Sequence, residues 1–242
     1  MCIICDNEYT KDTTDITCCG NVDSIPDILV NLVTLYCGGT LITFLPDTLV
    51  NLVSLKCIWT RITKIPDTLV NLVILDCYGT RIASLPDTLV NLVNLSCSWT
   101  PMTTLPHTLV NLVTLYCGGT QISVIPDTLV NLRDLDCSGT KITKLPDTLV
   151  NLKNLDCSRT RITKIPATLV NLETLVCYTD QITSLPYTLK NIKRIYSNKP
   201  FVILYKYKFK KFDIDFRSRY KKLIILYKIL PTDIYRHYKY YF

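Results

Sequence analysis

Hydrophobic positions recur along this chain with a period of twenty residues. In one copy the apolar positions are Leu49, Leu52, Leu55, Cys57, Ile62 and Ile65. A short sequence motif that repeats at a fixed period without gaps is the signature of a solenoid, in which each copy buries its apolar face against the next. The pattern therefore predicts one extended domain with a continuous core.

Each copy is expected to contribute one short strand. Leu55 and Cys57 lie two residues apart, which places both side chains on one face of a strand and turns Lys56 to the other face. Eight such strands, centred on every twentieth residue from Leu35 to Leu175, would pair as a parallel sheet. At about 4.8 Å per strand, the stack would be roughly 35–40 Å long.

The return path in each copy begins at a proline. Pro66 fixes φ and lacks a backbone donor, which favours a turn outside the sheet. Asp67 and Thr68 then offer side-chain oxygens to nearby backbone N–H groups, as residues do before a helix. We expect one turn of 3₁₀ or short α-helix here, with Leu69 and Leu72 facing the core.

The repeated motif resembles that of the leucine-rich repeat family. The residues that match L-x-x-L-x-L-x-x-N-x-L are Leu52, Leu55, Cys57, Thr60 and Ile62, followed by Ile65-Pro66. The resemblance implies a right-handed α/β solenoid with a parallel sheet on its concave face and short 3₁₀ or helical turns on its convex face. The Tyr-, Lys- and Ile-rich segments outside the repeats are similar to leucine-rich repeat proteins of giant DNA viruses.

One position departs from the family pattern. Where the family has Asn, this chain has Thr40, Thr60, Thr80, Thr100, Thr120, Thr140 and Thr160. In the family those amides hydrogen-bond the backbone of the turn. A hydroxyl has one donor, so we expect threonines that serve the same turn with fewer bonds.

Three segments follow from these patterns: an N-terminal cap over 1–24, leucine-rich repeats over 25–198 (eight full copies and a terminal half-repeat), and a basic aromatic tail over 199–242. The formal charge is −2 for 1–198 and +9 for 199–242, so the basic character of the chain belongs to the tail. The first 30 residues show no secretory signal, and no apolar run is long enough for a bilayer. We expect a cytoplasmic protein, in the host cytoplasm if it is viral.

Eight of the twelve cysteines occupy the apolar row of the repeats. Buried free cysteine packs as a small hydrophobe, so we expect neither metal nor disulfides along that row. The other four are Cys2, Cys5, Cys18 and Cys19. Cys2-x-x-Cys5 has zinc-ligand spacing, but the adjacent second pair fits one tetrahedral ion poorly. We expect a cap without metal or cofactor, and leave the metal alternative open.

Residues that point away from the core vary between copies, as a binding surface on a constant scaffold would. Three groups stand out: the aromatic residues Tyr36, Trp59, Tyr78, Trp99 and Tyr116, the acidic residues Asp134, Asp136 and Asp156, and a basic row of Arg61, Arg81, Lys141 and Arg161. Aromatic and arginine side chains dominate interface energetics. We predict that a protein partner binds the concave face through these groups.

The tail supports a second hypothesis. Aromatic residues there interleave with Lys206, Lys208, Lys210 and Lys211, a pattern that fits nucleic acid or an anionic membrane as well as a cap over the last repeat. Catalysis is not expected. The two histidines, His107 and His237, have no evident nucleophile or carboxylate partner, and we predict no small-molecule substrate.

Overall fold

The computed structural model describes residues 2–179, 181–197, 202–203 and 213–215, which form a solenoid built from short parallel strands. The strands are β1 (Asp15–Thr17), β2 (Thr34–Tyr36), β3 (Ser54–Lys56), β4 (Ile74–Asp76), β5 (Asn94–Ser96), β6 (Thr114–Tyr116), β7 (Asp134–Asp136), β8 (Asn154–Asp156), β9 (Thr174–Val176), β10 (Ser184–Leu185), β11 (Arg194–Tyr196), β12 (Val202–Ile203) and β13 (Asp213–Asp215).

Eleven strands make one sheet in the order β1 to β9, then β11 and β13, while β10 pairs with β12. All neighbours are parallel and in register, so that Leu55 pairs with Leu35 on one side and with Leu75 on the other. The eight predicted strands are confirmed as β2 to β9. The sheet also extends into the predicted N-terminal cap, because Ile16 at the centre of β1 pairs with Leu35.

The predicted core positions are confirmed. All six positions of the copy described above are fully buried, and the same rows line one hydrophobic cluster from Cys2 to Ile195. The eight repeat cysteines, Cys37 to Cys177 at intervals of twenty, have no exposed area. Burial raises the pKa of the Cys97 thiol to about 12, so the thiol stays neutral and packs as an apolar group.

The predicted 3₁₀ or α-helical turn is replaced by a series of tight turns. The N–H of Leu69 donates to the Pro66 carbonyl (3.2 Å), and that of Leu72 to the Leu69 carbonyl (3.2 Å). These bonds lie three residues apart, so no helical run forms, and the β-branched Val70 and the Asn71 between them favour helix weakly. Within the described residues, no helix could span a bilayer.

The threonine row serves the turn as predicted. Thr60 is buried, and its Oγ1 donates to the Cys57 carbonyl (2.8 Å). The same bond, between 2.6 and 2.8 Å, recurs at Thr40, Thr80, Thr100, Thr120, Thr140 and Thr160. Each threonine closes the turn after its own strand and leaves the joining of copies to other residues.

Asparagines that lie three residues before each strand join the copies. Asn71 Nδ2 donates to the Val50 carbonyl of the preceding copy (2.9 Å), and the same bond recurs in each copy from Asn51 to Asn191 at 2.9–3.1 Å. In some copies the threonine of the turn does likewise, since Thr88 Oγ1 donates to the Asp67 carbonyl (2.8 Å) and Thr128, Thr148 and Thr188 make the same bond. In others the hydroxyl is buried without a partner, as at Thr48 and Thr108.

Candidate functional site

The strands present one face to solvent, formed by the residues on either side of each buried leucine. We call it the open sheet face. In β2 these residues are Thr34 and Tyr36, which flank Leu35. A depression of about 370 Å³ lies in this face, with Lys56 and Tyr116 among its lining residues and the small Ser96 between their strands.

The predicted aromatic residues fall into separate contacts. Tyr36 and Tyr116 lie on the open sheet face, 37% and 46% exposed. The Lys56 ammonium lies 4.8 Å from the centroid of the Tyr36 ring, a cation–π contact. Trp59 meets Tyr78 edge to face, with centroids 5.1 Å apart and planes at 75°. Since β2 and β6 are four strands apart, the zone extends over about 19 Å.

Both tryptophans stand on strained backbone. The residue two positions after the cysteine has φ between 55° and 71° in seven of the eight copies, at Gly39, Trp59, Gly79, Trp99, Gly119, Gly139 and Arg159. Glycine adopts this left-handed conformation freely. A bulky residue there is a true outlier and costs on the order of 1–3 kcal/mol. Such strain is common at functional sites, so the two indoles mark this bend as a place to look for binding.

Each indole is seated on a glycine of the next copy. A Cβ added to Gly79 would lie 2.6 Å from Cε3 of Trp59, and one added to Gly119 would lie 3.0 Å from Cδ2 of Trp99. Despite this support, Trp59 is 62% exposed and Trp99 is 65% exposed. We call this side of the open sheet face the tryptophan edge. Sequence reasoning found both indoles but missed the alternating glycines that seat them.

Replacing Gly79 should disturb the packing of the Trp59 indole. We expect Gly79→Ala to lower the free energy of unfolding by more than Gly39→Ala does, although φ is near +68° at both positions. Left-handed backbone alone costs roughly 1–2 kcal/mol, and a Cβ at Gly39 meets nothing within 4 Å. Denaturant unfolding and the emission of Trp59, read in a Trp99→Phe background, measure the difference. Equal losses with unchanged emission would show that Gly79 does not hold the indole.

The predicted acidic residues are neighbours in the sheet. Asp136 on β7 pairs in register with Asp156 on β8, and Asp134 Oδ1 accepts a bond from Asn154 Nδ2 (2.5 Å). Asp136 and Asp156 each accept the backbone N–H two residues later, at 2.9 Å. Burial, and to a smaller degree the charge of Asp136, raises the pKa of Asp156. The pair thus places two carboxyl groups at a partly desolvated spot.

The predicted basic groups are separate from this acidic pair. Arg61, Arg81 and Arg161 are exposed and follow the buried threonines, beyond the tryptophan edge. Among the residues that the structure describes, the ion pairs are Lys64–Asp67 (3.5 Å) and Lys193–Glu173. The basic row therefore does not neutralise the acidic pair. The tail lysines, Lys206, Lys208, Lys210 and Lys211, lie outside the described residues.

A second surface escaped the sequence reasoning. A groove of about 1060 Å³ runs beside the starts of the strands and is lined by the asparagines that join the copies and by valines such as Val53 and Val73. Valines next to those asparagines, from Val50 to Val170, are each about 40% exposed. The Val-Asn pair recurs every twenty residues and is therefore visible in the sequence, whereas the groove beside it is visible only in the structure.

The four N-terminal cysteines divide between two environments. Cys18 donates its N–H to the Tyr36 carbonyl (2.7 Å), as the repeat cysteines do in their copies, and burial raises its pKa to about 12. Cys19 turns the other way, and its sulfur lies 3.3 Å from that of Cys5. The sulfurs of Cys2, Cys5 and Cys19 all lie within 4.8 Å of one another. Backbone N–H groups of Cys5 and Cys19 lower the pKa of Cys2 to about 6.

Comparison with known proteins identifies the fold. No protein-family model matches the chain, and no curated protein matches its sequence. Among solved structures, the functional domain of InlJ from Listeria monocytogenes, which includes a cysteine ladder, matches with a TM-score of 0.73, 22% identity, 81% of this chain and 48% of that one. YopM from Yersinia enterocolitica matches with a TM-score of 0.64, 21% identity, 81% of this chain and 47% of that one.

A third structure, the Toll–Spätzle complex of Drosophila, matches with a TM-score of 0.60, 20% identity, 79% of this chain and 31% of that one. The chain spans about half the length of InlJ and of YopM. The similarity to giant-virus proteins stays a prediction. These neighbours are leucine-rich repeat proteins, and this chain shares their parallel strands repeated about every twenty residues. The chain is a parallel-sheet solenoid with the leucine-rich-repeat fold.

Proposed function

We propose that this chain is a non-catalytic scaffold that binds a protein partner across the open sheet face and the tryptophan edge. The placement of the two indoles carries the proposal. Trp59 and Trp99 remain exposed although each stands on left-handed backbone and lies on a glycine of the next copy. Neither exposure nor strain stabilises the fold, so both are better explained by contact with a partner.

The energetics of association favour this use of the indoles. Tryptophan, tyrosine and arginine supply most interface hot spots, and a truncated hot spot costs at least about 2 kcal/mol. A side chain that is already seated loses less conformational entropy on binding than a free one. Trp59 is held on Gly79 and against Tyr78, and is therefore preorganised for contact.

The fold neighbours support a protein partner. Toll was solved in complex with Spätzle, and FLRT2 was solved as a leucine-rich repeat unit in a complex with latrophilin 3 and Unc5D. Their likeness to this chain concerns the fold, so the identity of the partner is not transferred. A scaffold built from the same fold offers the same kind of extended sheet for binding.

The charge distribution suggests how the partner is oriented. Asp136 and Asp156 place two partly buried carboxyl groups on β7 and β8, next to the aromatic zone. A basic group of the partner placed there would gain a counterion in a poorly solvated spot, which fixes orientation more than it adds affinity.

The double variant Trp59→Ala with Trp99→Ala tests this proposal. We expect it to lose the proteins that the full chain retains from a lysate, because each lost hot spot weakens binding about 30-fold. Retention by the parent chain should persist when salt is raised, since aromatic contacts are little screened. The measurement is quantitative capture at low and moderate salt.

A matched control uses exposed aromatic residues elsewhere on the solenoid. Phe44 and Tyr187 are 56% and 52% exposed and lie outside the open sheet face. The variant Phe44→Ala with Tyr187→Ala should retain the same proteins as the parent chain. The proposal fails if both double variants, folded by circular dichroism, capture equally, or if the control loses more than the tryptophan variant.

A further inference from the structure

Three cysteine sulfurs converge at the N-terminal end of the solenoid, at a site outside the open sheet face. The sulfurs of Cys2, Cys5 and Cys19 lie within 4.8 Å of one another, with those of Cys5 and Cys19 at 3.3 Å. Two thiolates bound to one tetrahedral zinc ion at about 2.3 Å lie about 3.8 Å apart. Small rotations of the side chains would therefore place one ion at bonding distance from all three sulfurs.

We propose that Cys2, Cys5 and Cys19 bind one thiophilic closed-shell metal ion, Zn²⁺ or Cu⁺. Soft thiolate ligands select these ions over harder ones. Among the described residues, no histidine or carboxylate joins the three sulfurs. Three thiolates complete a trigonal Cu⁺ site, whereas Zn²⁺ would take a solvent molecule as its fourth ligand. In either case the thiols release their protons to solvent as the metal–sulfur bonds form.

The backbone around the site already has a ligand-holding shape. The N–H of Asp6 donates to the Cys2 carbonyl (3.0 Å), and that of Glu8 donates to the Ile3 carbonyl (2.9 Å). Asn7 between them has φ of 53°, so the chain bends tightly just after Cys5. The N–H of Cys19 donates to the Cys2 sulfur (3.4 Å). Such outer contacts orient metal ligands and tune their affinity.

The strand geometry explains why only one of the adjacent cysteines takes part. Cys18 and Cys19 follow β1, and successive side chains of an extended segment point to opposite sides. Cys18 lies over Cys37 in the cysteine row, and Cys19 is left facing Cys2 and Cys5. The poor match of an adjacent pair to one ion, which favoured a cap without metal, is thereby removed.

The location gives the ion a structural role. Cys2 is buried in the hydrophobic cluster, and Ile3 and Ile4 pack against it. An ion bound by Cys2, Cys5 and Cys19 would tie the first residues of the described chain to the end of β1. Binding to the folded chain alone would raise its stability by mass action.

The test is metal titration of the reduced, chelator-treated full chain. We expect one equivalent of Zn²⁺ to bind in competition with a chromophoric chelator, or one of Cu⁺ in competition with a Cu⁺-specific chelator, and the two arms identify the ion. Co²⁺ as a probe should give a thiolate charge-transfer band. Cys5→Ala and Cys19→Ala should each weaken binding by more than about 100-fold.

Cys18→Ala is the matched control, because it removes a neighbouring sulfur that lies outside the group. It should bind like the parent chain, and circular dichroism checks that every variant is folded. The proposal is overturned if neither ion binds at one equivalent, or if Cys18→Ala loses as much affinity as Cys19→Ala. It is also overturned if the parent chain forms a Cys5–Cys19 disulfide and binds no metal after reduction.

Discussion

Replacing Leu115 with alanine should lower the free energy of unfolding by about 2–5 kcal/mol. Leu115 is fully buried at the centre of β6 and pairs with Leu95 on one side and Leu135 on the other. Because the backbones of three stacked copies meet at this point, the cavity has little room to collapse. Urea unfolding followed by circular dichroism measures the loss.

Val110→Ala provides the comparison for that loss. Val110 belongs to the row of valines that recurs from Val50 to Val170 and is 42% exposed. Its carbonyl accepts a bond from Asn131, and alanine keeps that carbonyl. We expect a change within about 0.5 kcal/mol. Similar losses for the two variants would contradict the assignment of the leucine row to the core.

The eight repeat cysteines should resist alkylation in the folded protein by at least about 100-fold relative to the unfolded chain. They have no exposed area, and burial raises the pKa of Cys57 and Cys177 to about 12. Since the thiolate is the reactive form, labelling must wait for the copies to open. Opening that costs about 3 kcal/mol slows labelling by roughly 100-fold.

Pulse labelling read by mass spectrometry measures this protection at each cysteine. Raising the pH from 7 to 9 should speed labelling of the unfolded chain and leave the protection of Cys97 and Cys117 relative to it unchanged. The buried thiols stay neutral because their pKa lies far above that range, so that only opened copies react. The same cysteines in the urea-unfolded chain serve as the reference for free access. Rapid native labelling of the row would mean that these sulfurs face solvent and do not pack in the core.

Periodicity was sufficient to predict the scaffold. Leu55 and Cys57 recur every twenty residues, and only a strand places both inward, so β2 to β9 and the buried rows could be derived from spacing alone. The conformation of the return path between strands could not be derived from spacing. Pro66 and Thr68 favour a turn or a helix start about equally, and bonds between copies, such as Asn71 to the Val50 carbonyl, decide which forms.

The backbone conformation and packing of the candidate binding residues could be established only from the structure. Trp59 and Trp99 are visible in the sequence, but their left-handed backbone depends on a bend that glycine occupies in other copies. Their seats depend on contact between successive copies. The role of Cys18 was predictable in principle, since Ile16 precedes Leu35 by nineteen residues and continues the strand row. Because this spacing is nineteen residues and not twenty, β1 does not fit the period of the other copies and lies inside the predicted cap.

Site-specific photo-crosslinking tests the proposed binding surface most directly. A benzophenone side chain replaces Tyr116, which is 46% exposed on the open sheet face, or Tyr187, which is 52% exposed elsewhere. The account predicts that Tyr116 crosslinks to the same protein that the parent chain captures, and that Tyr187 does not. Crosslinking of that protein through Tyr187 with none through Tyr116 would contradict the account and move the binding surface away from the sheet.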